Sequence, residues 1–127
     1  ISAGTLSIGS VNNVGGTSSS NLIMSGGALQ ITGTALISLS DLDSTVTFSN
    51  TAKGFDIQNA ANTFTVDQVL SGTGTGSTLT KSGVGTLVLN QNNTFAGATT
   101  ATGGGTLVLD YTTNNGSKLS DTAGLTL

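Results

Sequence analysis

Apolar residues along this chain come in pairs separated by a single position: Leu6/Ile8, Leu22/Met24, Leu29/Ile31, Ile37/Leu39, Val46/Phe48, Phe55/Ile57, Phe64/Val66, Leu87/Leu89, Leu107/Leu109 and Leu125/Leu127. The residues between the partners vary freely, among them Ser7, Ile23, Gln30, Asp56, Thr65 and Val108. Alternate side chains of an extended strand face opposite ways, so the pattern predicts a row of short half-buried strands with the paired residues inward. From Leu22 to Phe64 the pairs begin at 22, 29, 37, 46, 55 and 64. The gaps at Gly26–Gly27, Gly33, Ser40–Ser44, Asn50–Gly54 and Asn59–Asn62 hold turn formers, including residues that tolerate positive φ.

Even spacing suits a sandwich or a barrel as well as a solenoid. Three features favour a β-helix. The phrase GTLVL occurs twice, at Gly85–Leu89 and Gly105–Leu109, as stacking of one turn on the next requires. Asn115-Gly116 is the one tight hairpin signal of the Asn-Gly or Asp-Gly kind. Each strand supplies only a pair of inward residues, which fits a narrow three-sided coil of about 20–27 residues. In that register Leu87 lies under Leu107, and Leu89 under Leu109.

Composition narrows the picture further. Gly, Thr and Ser make up 58 of the 127 residues, and Glu is absent, so helix propensity is low and i,i+4 Glu/Lys support is unavailable. The 35% of apolar residues, regularly placed, point to order rather than disorder. The basic residues are Lys53, Lys81 and Lys118, with no Arg, and the net charge is −3, so the sequence predicts no nucleic-acid partner. No apolar run approaches the ~18 residues of a membrane-spanning helix, and no membrane insertion by this segment is expected. The chain starts without Met and stops within an apolar/polar alternation. It is expected to be one β-solenoid unit, residues 1–127, of a longer repeat protein.

From Leu79 to Leu107 the sequence reads L-T-K-x-G-x-G-T-L-x-L, then N-x-N-N-T-F-x-G-x-T-T, then G-T-L. This resembles the autotransporter-associated β-strand repeat found in passenger regions of bacterial autotransporters and other large surface or secreted proteins. The positions that carry the resemblance are Leu79, Thr80, Lys81, Gly83, Gly85, Thr86, Leu87, Leu89, Asn93, Thr94, Phe95, Gly97, Thr99, Thr100, Gly105, Thr106 and Leu107. With the lead-in VLSGTGTGS the match covers Val69–Leu109, and weaker echoes stand at Gly4–Ile8 and Gly27–Ile31. Ala98 departs from the family's usual Gly, and Ala101–Gly104 is one residue longer than the usual spacer. The resemblance implies a right-handed parallel β-helix, exported and displayed on or released from the cell. Passengers of this kind serve adhesion, aggregation, proteolysis or toxicity, and the repeat itself is usually the stalk.

Candidate chemistry is sparse. Asp41 and Asp43, two apart, would face one way on an extended segment and offer oxygens to a cation such as Ca²⁺, against the plainer reading of a solvated loop. Lys81 lies in the repeat signature and is expected at a coil corner with its ammonium in water. Gly72–Gly76, GTGTG, lacks the Gly-Lys-Ser/Thr and the helix of a phosphate loop and reads as a coil turn. Asn12/Asn13, Asn92/Asn93 and Asn114/Asn115 fit amide ladders at turns better than a sugar site. Asn92-Asn93-Thr94 and Asn115-Gly116-Ser117 match the glycosylation triplet, which chance explains in such a composition. Without His or Cys, neither Ser-His-Asp nor Cys-His catalysis is available. The six aspartates Asp41, Asp43, Asp56, Asp67, Asp110 and Asp121 are scattered along the chain, and nothing in the sequence points to a glycosidase pair among them. The expectation is therefore a non-enzyme with no catalytic, cofactor or metal residues and no cofactor. Its leading role is a structural stalk of an adhesin-like surface protein. The alternatives are a self-assembling extracellular filament, whose partner is the chain itself or another cell-surface component, and a β-helical carbohydrate-active enzyme.

Overall fold

The computed structural model describes residues 1–14, 21–42 and 45–127. Its strands are β1 (Thr5–Ile8), β2 (Asn21–Met24), β3 (Ala28–Ile31), β4 (Thr45–Phe48), β5 (Lys53–Ile57), β6 (Thr63–Val66), β7 (Leu79–Ser82), β8 (Thr86–Leu89), β9 (Thr99–Ala101), β10 (Thr106–Leu109) and β11 (Leu125–Thr126). Two 3-10 turns, Val11–Val14 and Ser40–Leu42, are the only helical segments among the described residues. All strand pairs are parallel, so Asn115-Gly116 closes no hairpin there.

Every second strand or so returns to the same face. One sheet runs β1-β3-β5-β7-β9-β11, a second runs β6-β8-β10, and a third pairs β2 with β4. The result is a parallel β-solenoid of about five turns. Register fixes the size of each turn: Thr5 pairs with Ala28, Ala28 with Gly54, Gly54 with Thr80, Thr80 with Thr100, and Thr99 with Leu125. Successive turns thus advance by 23, 26, 26, 20 and 26 residues. The twenty-residue turn is the one flanked by the two GTLVL phrases. Leu87 pairs with Leu107 and Leu89 with Leu109, as the repeat requires.

One core runs through the stack. Met24, Leu29, Ile31, Phe55, Ile57, Phe64, Val66, Leu79, Leu87 and Leu89 are fully buried, while Thr47 and Val108 between inward partners lie outside. Phe55 touches both Phe48 and Phe64, with ring centroids 6.4 Å apart in each pair, joining the three faces at the middle turns. Two of the expected inward pairs are corrected. In Ile37/Leu39 it is Leu36 and Leu39 that are buried, and Ile37 is 57% exposed. The segment is not a continuous strand: Ser38 makes an isolated bridge to Thr65, and the chain then tightens into the 3-10 turn Ser40–Leu42, which rotates its side chains out of strict alternation. Leu125 and Leu127 are exposed because no described rung lies above β11.

Candidate functional site: the stacked turns of the repeat

β7 and β8 are joined by Ser82–Gly85, and the corresponding turn one rung later is Thr102–Gly105 between β9 and β10. The two lie in register, since Thr80 pairs with Thr100 and Thr86 with Thr106. At Gly103 and Gly105 backbone meets backbone with no room for a side chain. A Cβ on Gly103 would sit 2.6 Å from Gly83 N, and one on Gly105 would collide with Gly85 O and the Lys81 ammonium. Gly103 also has φ 85°, in the left-handed region. The glycines of the signature are thus the condition for close stacking of this corner.

Lys81 supplies the polar filling. The expectation of an ammonium in water is corrected, for Lys81 is fully buried. Its strand position lies between Phe55 below and Ala101 above, on the inward face, so the aliphatic stem belongs to the core. The ammonium reaches out to the corner and donates to Ser82 O at 3.2 Å and to Gly83 O. Desolvation holds its pKa below the ordinary value, and the Asp56 charge offsets part of that.

Lys53 and Lys118 follow the same plan. Lys53 is fully buried and donates to Thr51 O at 2.9 Å and Ser77 Oγ at 2.7 Å, with burial again lowering its pKa. Lys118 is fully buried, donates to Asn114 O at 2.6 Å, and holds its ammonium 5.0 Å from the centre of the Tyr111 ring. All three lysines of the chain are therefore interior groups whose charges are met by backbone carbonyls, hydroxyls and amides. Sequence reasoning missed this, although a signal was present. Lys53, Phe55 and Ile57 share one parity along their strand, as do Leu79 and Lys81.

The aspartates are anchors for local backbone and side chains. Asp41 accepts the N–H groups of Ile37 and Ser38, both at 2.9 Å. One of its oxygens is thereby committed to the loop, and Asp43, its proposed companion on a cation, lies outside the described residues. Asp67 accepts Ser40 N–H at 3.2 Å and the Ser40 hydroxyl, holding the start of the 3-10 turn from the next rung. Asp56 accepts Gln30 Nε2 at 2.7 Å from the rung below and Gln58 Nε2 at 2.7 and 2.8 Å. Ser7 donates to Gln30 in turn, so a polar ladder climbs the outside of the six-stranded sheet. Asp110 accepts Thr112 N–H at 2.9 Å, which holds its pKa below the ordinary value, and Asp121 accepts Ser117 Oγ. Among the described residues no cluster of three or more His, Cys, Asp or Glu side chains is placed to hold a metal ion.

The asparagines connect rungs through the backbone. Asn93 accepts Leu70 N–H from below and donates to Lys118 O above, each at 2.9 Å, and is buried. Asn92 accepts Gly116 N–H at 2.9 Å, and Asn114 donates to Asn90 O at 3.0 Å and Gln91 Oε1 at 3.4 Å. Asn13 instead closes its own turn by accepting Gly9 N–H at 2.9 Å and Ser10 N–H at 3.0 Å. The asparagines at these turns thus bridge rungs chiefly from amide to backbone, with one amide-to-amide contact between Asn114 and Gln91, and satisfy polar groups that a turn would otherwise leave open. Asn62 bridges likewise to Gly33 O at 2.6 Å and Leu36 O at 3.1 Å, leaving its own buried Oδ1 without a partner. Gly72–Gly76 forms an outward turn, anchored where Asn50 Oδ1 accepts Thr73 N–H at 3.0 Å.

The family described as passenger-associated-transport-repeat matches residues 79–109, about a quarter of the chain, running from β7 to the end of β10. No match was found among curated proteins or among solved structures. The matched stretch holds Lys81, the stacked glycine corners, Asn93 and both copies of GTLVL. Residues 79–109 of this parallel β-solenoid are thus similar to the passenger-associated-transport-repeat.

Proposed function

We propose that this segment is a structural stalk of a secreted or surface-displayed bacterial protein of the autotransporter or adhesin type, and that it performs no catalysis. The observation that carries the reading is the unbroken six-stranded parallel ladder over one continuous core, with a transport-associated repeat built into it. Its six rungs span about 24 Å at the usual strand spacing. With every lysine interior, the side-chain charge at the surface comes from aspartate, which disfavours nucleic acid and anionic membranes as partners. The function is geometric: added rungs add length, and other cell-surface parts are carried at a distance. Removing residues 79–98, one turn, from the full-length protein is expected to shorten the rod by about 5 Å and to leave binding of a distal module intact. Loss of that binding contradicts the stalk.

One observation favours the second reading, assembly of the chain with itself into an extracellular filament. Ile23, Ile37, Val69 and Val84 stand exposed on the turns of the stack and offer apolar contact to a second copy. Electron microscopy across a concentration series separates the two. Single rods support the stalk, and uniform fibres support assembly.

The weaker reading, a β-helical carbohydrate-active enzyme, needs carboxylates free to act on a substrate. Asp41, Asp56, Asp67, Asp110 and Asp121 each hold a hydrogen bond to neighbouring groups. Glycan hydrolysis that is lost in Asp56→Ala and Asp67→Ala variants would revive it.

A further inference from the structure

Asn115-Gly116 stands on the excursion that leaves β10 before the chain rejoins the stack. Asn115 is exposed, whereas the residues after it are tied to the rung below. Gly116 N–H donates to Asn92 Oδ1 at 2.9 Å, and Asn93 N–H donates to Ser117 O at 2.8 Å. The Lys118 ammonium lies 3.4 Å from the same Asn92 oxygen.

We propose that Asn115 is a self-modification site, deamidating through a cyclic imide, and that Asn92 is its brake. The Gly116 amide nitrogen gives its proton to a solvent base and attacks Asn115 Cγ. The bond from Cγ to the side-chain nitrogen breaks, and that nitrogen leaves as ammonia. Water then opens either carbonyl of the five-membered ring, yielding aspartate or isoaspartate at position 115. One ammonia leaves and one water enters, with no oxidation or reduction. Glycine at 116 presents no Cβ to hinder the approach. The hydrogen bond to Asn92 opposes the step twice, because it holds the proton that must depart and fixes the peptide plane that must rotate.

The product changes local electrostatics. Asn115, Lys118 and Asp121 line one surface cavity with Tyr111, so a carboxylate at 115 adds negative charge beside the buried Lys118. Isoaspartate also inserts a methylene into the backbone, which pulls Gly116 out of register with Asn92.

The test is ageing of the purified chain in mildly alkaline buffer, with peptide mass spectrometry at each time point. Deamidation is expected at Asn115 before any other asparagine, and more slowly than in a free peptide spanning 110–121. Asn92→Ala should accelerate it roughly two- to tenfold, the factor corresponding to one released hydrogen bond. Asn92→Asp, which retains an acceptor at the same place, should stay near the parent rate. Circular dichroism checks that each variant keeps its sheet. An unchanged rate in Asn92→Ala, equal acceleration in Asn92→Asp, or earlier deamidation elsewhere would each overturn the proposal.

Discussion

β8 and β10 have the same sequence, Thr-Leu-Val-Leu, and opposite environments. On β8 the two leucines, Leu87 and Leu89, are fully buried, with β6 on one side and β10 on the other. On β10 the same residues, Leu107 and Leu109, are half-buried, and Val108 is 36% exposed. Propensity and alternation are identical in the two strands, so neither decides burial. The number of neighbouring rungs does. In a solenoid each turn is completed by the next one, and a repeat is stable in proportion to the interfaces it makes.

That comparison is sharpened most by paired truncations. Leu87→Ala should cost about 3–5 kcal/mol, because it opens a cavity closed on all sides. Leu107→Ala should cost about 1–2 kcal/mol, since part of its surface already meets water. Urea unfolding midpoints measure both, and equal costs would break the comparison.

The next effect concerns the corner beneath β10. Gly105→Ala is expected to cost about 2–4 kcal/mol, as its methyl group must displace the Gly85 carbonyl or the Lys81 ammonium. Gly124→Ala meets nothing nearby and should stay within about 0.5 kcal/mol of the parent in the same assay.

Lys81 lies between these in kind. Lys81→Ala removes both stem and ammonium and should cost about 2–4 kcal/mol. Lys81→Met keeps the stem and leaves Ser82 O and Gly83 O without their donor, for about 1–2 kcal/mol. If Met is as damaging as Ala, the stem contributes nothing and the packing account of Lys81 is wrong.

The smallest effect is the pH dependence. Burial lowers the folded-state pKa of Lys53 and Lys81 below their ordinary 10.5, so the unfolded chain binds more protons there. Stability should therefore rise with pH from the depressed folded pKa values up to about 10.5, and be flat above. The midpoint of urea unfolding, followed through that window, should climb in the parent and climb less in Lys81→Met.

Much of this architecture is legible in the sequence because a parallel stack repeats its own pattern. The register Leu107 over Leu87 follows from GTLVL alone, and the echoes at Gly4–Ile8 and Gly27–Ile31 are neighbouring strands β1 and β3. What was not legible is where a rung leaves strict alternation. Ile37 was expected inside and is outside, because Asp41 draws the Ile37 and Ser38 amides into a tight turn. Lys81 was expected outside and is inside, because a charge is ordinarily read as a surface group, and its carbonyl acceptors lie at a corner whose geometry only the fold creates. The partners of the aspartates on neighbouring rungs, Ser40 for Asp67 and Gln30 for Asp56, are likewise 27 and 26 residues away in sequence. Such contacts depend on turn lengths that vary from 20 to 26.

The central claim is the stacking register itself, and cysteine pairs test it directly, since the chain has no cysteine of its own. Val88 and Val108 are outward partners on adjacent rungs, about 4.8 Å apart at the usual parallel spacing, which is within reach of a disulfide. Thr65 and Val108 stand two rungs apart, at about twice that distance. Mild oxidation should close an intramolecular disulfide rapidly in the Val88→Cys/Val108→Cys variant and not in Thr65→Cys/Val108→Cys. Equal rates in the two variants, or no closure in the first, would contradict the solenoid register on which the rest depends.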